Sequence, residues 1–197
     1  MIDKKLKIDV SVWWIRHGPT HKKTMVGWSD VPADLSDRAK LERLSGALPT
    51  GVPIVSSDLI RAVATADAIE TGRKRLPHRQ DLREMNFGAW ELRAFDEIER
   101  EDPQRITAFW SEPGAVRPPE GESWNDLETR VNRAVDTLLA LGSDLIVVAH
   151  FGTILTQIQR VEGLSAEEVF ANRIEPLSVT HLRYGTSPAA VSINHQP

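Results

Sequence analysis

Cysteine is absent from the 197 residues, which removes disulfides, thiolate nucleophiles and cysteine-ligated metals and leaves the redox compartment open. A basic excess is also missing. The net charge is -4 and the pI is near 5.9, with no basic run, which argues against general affinity for nucleic acid or an anionic membrane. Any attraction for phosphate must then be local. The six tryptophans are scattered without basic interleaving and do not make a nucleic-acid surface. No stretch approaches the ~20 apolar residues that span a bilayer. The start, MIDKKLKIDVSVWWIRHG, is charged but has only a brief apolar stretch, Val10 to Ile15, and no small-residue cleavage site follows, the pattern expected of a cytoplasmic protein.

What is present suits one globular domain over residues 1–197. Hydrophobic residues make up 41%, enough for a sizeable core. Val10 to Ile15 and Leu145 to Ala149 are short apolar runs rich in β-branched or aromatic residues, the look of buried strands in a parallel or mixed sheet, and Val52 to Val55 is a weaker third. Between them lie helical spacings. Trp124, Leu127, Val131, Val135 and Leu138 recur every three or four residues after Ser123, which forms a capping box with Asp126. A second helix should follow Asp58, with Leu59, Ala62, Ala66 and Ile69 on one face. Glu91 to Trp110 reads as helical and charged, with Pro103 starting a new helix, and the prolines and glycines from Ser111 to Gly121 mark a loop. That insertion, about 91–122, is expected to flank the active site as a lid or wall. Val179 to Tyr184 and Ala190 to Asn194, around Gly185, look like a terminal hairpin. The expected class is therefore α/β, a three-layer α/β/α sandwich with a mostly parallel sheet and helices on both faces.

Chemistry gathers where the strands end. VWWI runs into Arg16-His17-Gly18, LIVVA delivers His150 before Phe151-Gly152, and SSDLIRA puts Arg61 in the first turn of a helix, whose free amides favour an anion. A lone histidine after a strand is more often a structural hydrogen-bonding residue than a catalyst, and a lone arginine in a first turn is usually solvated. Three such arrivals at strand ends make coincidence less probable. Arginine forks match phosphate oxygens, and a neutral imidazole can attack phosphorus, so the set suits phosphoryl transfer.

VWWIRHGPT, SSDLIRAVATA, LREMNFGAWE, PPEGESW and VVAHFGTI, in this order, resemble the successive signatures of the histidine phosphatase superfamily, also called phosphoglycerate mutase-like. The resemblance runs from Val12 to about Ile154. It implies that His17 is the nucleophile, that Arg16, Arg61 and His150 bind the phosphoryl group with the Phe151 amide as a further donor, and that Glu84 is the general acid and then the base that activates water. Glu91, Glu120 and Glu122 are alternatives for that proton transfer, while the spacing before Phe87-Gly88 and Trp90-Glu91 favours Glu84. Gly121 to Ser123 more plausibly caps the next helix. The chain departs from the family pattern at Pro19, at Lys22 and Lys23, and at Phe151, so Thr20, Lys22, Lys23 and Phe151 are candidate substrate contacts. A basic loop is more often simply solvated, and a phenylalanine more often packs inside. His17 and His21 share the spacing of a helical metal pair, but Gly18 and Pro19 make that helix improbable.

The resemblance implies a metal-independent, cofactor-free phosphomonoester hydrolase that forms a phosphohistidine on a small phosphorylated metabolite, for example α-ribazole phosphate or a sugar phosphate. The competing readings are a phosphoglycerate mutase and a non-catalytic phosphate-binding or protein-docking module.

Overall fold

A computed structural model describes residues 9–197, so the charged start, Met1 to Ile8, on which part of the N-terminal reading rests, lies outside it. Five strands form one sheet in the order β2-β3-β1-β4-β5. They are β1 (Val10–Arg16), β2 (Ile54–Ser56), β3 (Leu145–Ala149), β4 (Val179–Tyr184) and β5 (Ala189–His195). β2, β3 and β1 are mutually parallel. The terminal hairpin adds the antiparallel pairs β1 with β4 and β4 with β5, so the sheet is a parallel core with an antiparallel margin.

Side-chain alternation distributes each central strand between two cores. Val10, Val12 and Trp14 of β1 join Leu145, Val147 and Ala149 of β3 on one face. The helices α5 (Trp124–Leu139) and α6 (Phe151–Glu162) cover them. Ile15, Ile146 and Val148 point the other way, with Ile54 of β2, against α1 (Arg38–Ala47) and α2 (Ile60–Ile69). This is the expected three-layer arrangement with helices on both faces. Trp14 is completely buried, and its indole N–H donates to the Tyr184 hydroxyl at 3.1 Å, which keeps its polar edge satisfied. The Ser123 capping box opens α5 as expected, because the Ser123 and Asp126 side chains satisfy each other's backbone amides.

The insertion is less helical than its sequence suggests. Leu92 has a φ of 61°, so the chain turns before α3 (Phe95–Glu101), and α4 (Pro103–Ser111) begins on Pro103 after its Asp102 cap. The short helix α7 (Ala166–Val169) follows α6.

Candidate active site

The parallel register decides what meets at the carboxyl edge of the sheet. Arg16 pairs with Ala149 and Ser56 with Val148. The next residues, His17, Ser57 and His150, therefore leave the edge side by side. The amide of His17 donates to the Ala149 carbonyl at 3.0 Å, and that of Ser57 to Val148 at 3.1 Å. The rings of His17 and His150 lie 5.1 Å apart at 57°.

His17 Nδ1 is 2.7 Å from the Gly18 carbonyl oxygen. A carbonyl can only accept, so the ring proton sits on Nδ1 and Nε2 keeps its lone pair. Burial pushes the pKa of His17 down to about 3, helped by the nearby Arg61 and Arg16 charges and opposed by the Gly18 hydrogen bond. The imidazole is thus neutral near pH 7. The turn itself is held by the Gly18 amide, which donates to Thr65 Oγ1 at 3.0 Å from α2. His150 is fully buried, and its pKa is likewise driven well below the ordinary value by burial and then by Arg61. Its Nε2 lies 2.6 Å from Ser57 Oγ.

The two arginines are anchored but not saturated. Arg61, fully buried near the start of α2, donates to the Ser29 carbonyl at 2.9 Å and to Gly27 at 2.5 Å. Arg16 donates to Ile174 at 2.6 Å, and its guanidinium lies 5.4 Å over the Phe151 ring. Among the described residues, Arg16 Nε, Arg61 Nε and His150 Nδ1 are buried without a hydrogen-bond partner. Buried polar groups are normally paired, so three unpaired nitrogens in one cluster are chemically able to take an anion.

Glu84 is buried in the same site. Both its oxygens lie 3.1 Å from the Gly152 amide at the start of α6, and Oε1 also accepts from the Met85 amide at 2.9 Å. A Cβ at position 152 would fall 2.5 Å from Glu84 Oε1, so the glycine is what allows the carboxyl group to approach. The alternatives are otherwise engaged. Glu91 clasps the loop after the first motif, accepting from the amides of Gly27, Trp28, Ser29 and Phe87. Glu122 pairs with Arg130 at 2.7 Å, and Glu120 is exposed.

Three supports went unassigned in the sequence. Ser57 lies within SSDLIRAVATA, but its bond to His150 depends on strand register. Arg130 Nη2, at 3.1 Å, and Trp28 Nε1, at 2.8 Å, both donate to the Glu84 carbonyl, and no local pattern announces either. The Trp28 ring also lies against the Arg83 and Arg130 guanidiniums, at 5.0 and 5.8 Å. Of the candidate substrate contacts, Phe151 lines a cleft beside Glu84. Thr20 is half-buried, whereas Lys22 and Lys23 are exposed and outside that cleft.

The family profile described as "Histidine phosphatase superfamily (branch 1)" matches residues 12–195. The chain is 29% identical over 174 residues to an adenosylcobalamin/alpha-ribazole phosphatase of Escherichia coli, covering 83% of this chain and 85% of the relative. It is 29% identical over 187 residues to a probable phosphoglycerate mutase of Yersinia pestis, covering 91% and 87%. Among solved structures, Bacillus stearothermophilus YhfR superposes with a TM-score of 0.86 over 94% of this chain and 97% of the other, at 24% identity, and so speaks to the fold alone.

Proposed function

The chain belongs to the histidine phosphatase superfamily, and on that premise we propose that it hydrolyses a phosphomonoester of a small metabolite through a phosphohistidine on His17. The observation that carries the reading is the neutral His17 ring with Nε2 unprotonated, set among three unpartnered buried donors. Arg16, Arg61 and His150 hold the phosphoryl oxygens. Ser57 donates its hydroxyl to His150 Nε2, which leaves the proton on Nδ1 to face the anion.

His17 Nε2 attacks phosphorus as the ester P–O bond breaks, and Glu84 gives its proton to the departing oxygen. The ring becomes cationic, and the Gly18 carbonyl on Nδ1–H stabilises that charge. Glu84, now a carboxylate, takes a proton from water while the water oxygen attacks phosphorus and the P–N bond breaks. Inorganic phosphate leaves, and both residues are restored. No step calls for a metal or cofactor. The names of the relatives, alpha-ribazole phosphatase and probable phosphoglycerate mutase, support a small phosphorylated substrate such as α-ribazole phosphate or a sugar phosphate.

The test is hydrolysis of a phosphomonoester panel, including 3-phosphoglycerate, by wild type and His17→Ala with EDTA present, together with trapping of labelled protein in alkali. Turnover and label are expected in the wild type only. Phosphate release that survives in His17→Ala refutes the covalent route, and conversion of 3-phosphoglycerate to its isomer in preference to hydrolysis indicates a mutase. Specific anion binding with no turnover of any ester indicates a binding module.

A further inference from the structure

Glu84 and Gly152 do not close the site. They form one end of a narrow cleft that opens to solvent. Its remaining walls draw on distant segments, among them Phe87, then Phe109 and Trp110 of α4, Val116 of the loop that follows, Phe151, and Phe170. Five of these six are aromatic. Glu84 is the one charged residue in the lining; Arg16, whose guanidinium lies over the Phe151 ring, belongs to the phosphoryl end of the site and is outside the lining. Trp110 is 43% exposed, yet its ring stands edge-on to Phe109 at 5.0 Å and to Phe170 at 6.4 Å. It is an apolar surface held at the mouth of the cleft by packing.

The chemistry proposed above fixes which part of a substrate meets this cleft. Glu84 gives its proton to the ester oxygen, so the alcohol attached to that oxygen lies on the side of Glu84. We propose that the cleft is a leaving-group subsite for an uncharged aromatic or bulky apolar group, and that the natural substrate carries such a group within a few bonds of its single phosphate. A carboxylate or a second phosphate is disfavoured there, because the lining offers no cation to pair it and Arg16 is engaged by the phosphoryl group. Arg117, on the neighbouring loop, is outside the lining and is paired with Asp126 at 3.1 Å. This assignment rests on the hydrolase reading.

Ethyl phosphate and 2-(1-naphthyl)ethyl phosphate test it, since both release a primary alcohol and differ mainly in the group offered to the cleft. The wild type is expected to favour the naphthyl ester in kcat/KM by roughly 30-fold, the order given by burying one ring system. Trp110→Ala should bring that ratio below about 10, and Trp110→Phe should restore much of it. A wild-type ratio under about 3, a ratio unmoved by Trp110→Ala, or 3-phosphoglycerate turning over as fast as the naphthyl ester overturns the assignment. Binding of 2-(1-naphthyl)ethylphosphonate, measured by calorimetry, separates the two readings. If no ester is hydrolysed but the phosphonate binds and Trp110→Ala weakens it, the subsite stands and the hydrolase reading falls. If the phosphonate does not bind, the subsite falls.

Discussion

Acidifying the protein from pH 7 to pH 5 places a proton on histidines in the unfolded chain that the folded site refuses. Burial holds His17 near a pKa of about 3 against an ordinary 6.5. Above 6.5 neither state carries the proton, and the contribution of His17 to stability is fully present. Between 6.5 and 3 the unfolded state binds a proton that the native state does not, so stability falls by about 1.4 kcal/mol per pH unit. From pH 7 to pH 5 that accumulates to roughly 2 kcal/mol, a sizeable share of the about 5–15 kcal/mol that holds a domain folded. His150 is shifted in the same direction, so the total loss in the wild type exceeds the part due to His17, and the comparison must be with a variant. Urea unfolding followed by tryptophan fluorescence at pH 7, 6 and 5, in a buffer free of phosphate, should show the wild type losing roughly 2 kcal/mol more than His17→Asn. Inorganic phosphate at about 100 times its dissociation constant should add back about 2.7 kcal/mol to the wild type at any one pH. Equal losses in the two proteins would refute the claim that His17 is held neutral by its surroundings.

Gly152→Ala places a methyl group 2.5 Å from Glu84 Oε1 and should lower kcat about 100-fold while the affinity for inorganic phosphate changes much less; an unchanged kcat means Glu84 is not the acid. Ser57→Ala removes the partner of His150 Nε2 and should lower kcat roughly tenfold, with Ser57→Thr restoring part of it; equal kinetics in all three proteins would sink the tautomer argument. Arg130→Met strands Glu122, whose side chain is 16% exposed in their ion pair, and should cost about 3 kcal/mol in chemical denaturation, relieved in part by adding Glu122→Gln. A loss under about 1 kcal/mol would show that the pair is not a structural strut.

Strong local signals were legible. The apolar runs of β1 and β3 and the capped, periodic α5 stand where the sequence places them, because burial on both faces or on one stripe leaves a pattern that neighbours in sequence display. β2 was displaced. The expected strand from Val52 to Val55 became Ile54–Ser56, since Pro53 cannot donate to a ladder and favours the strand margin. The helical reading from Glu91 failed at Leu92, whose positive φ accompanies a role for Glu91 as hydrogen-bond acceptor for a distant loop. In the candidate site, Arg16, His17, Arg61 and His150 come together as the sequence suggests, because each ends or follows a strand or sits in the first turn of a helix. Trp28 and Arg130 were not, for they reach Glu84 from 56 and 46 residues away in sequence.

That division follows from how the two halves of the site are built. The anion end rests on backbone geometry: parallel register puts His17 beside His150, and Arg61 follows β2 at the start of α2. Those placements come from strand register and the start of a helix, not from side-chain packing. The proposed leaving-group end is lined largely by side chains from α4, its following loop, and Phe170, which meet by packing across the cleft. Substitution there can alter the shape and polarity of the cleft without touching a strand. If the cleft takes the leaving group as proposed, substrate choice resides in the segments with the weakest sequence pattern, and the motifs at the strand ends bear on the reaction and not on its substrate. It also means that a change of specificity should be reachable by changes at Trp110 and Val116 alone, with His17, Arg16 and Arg61 left as they are.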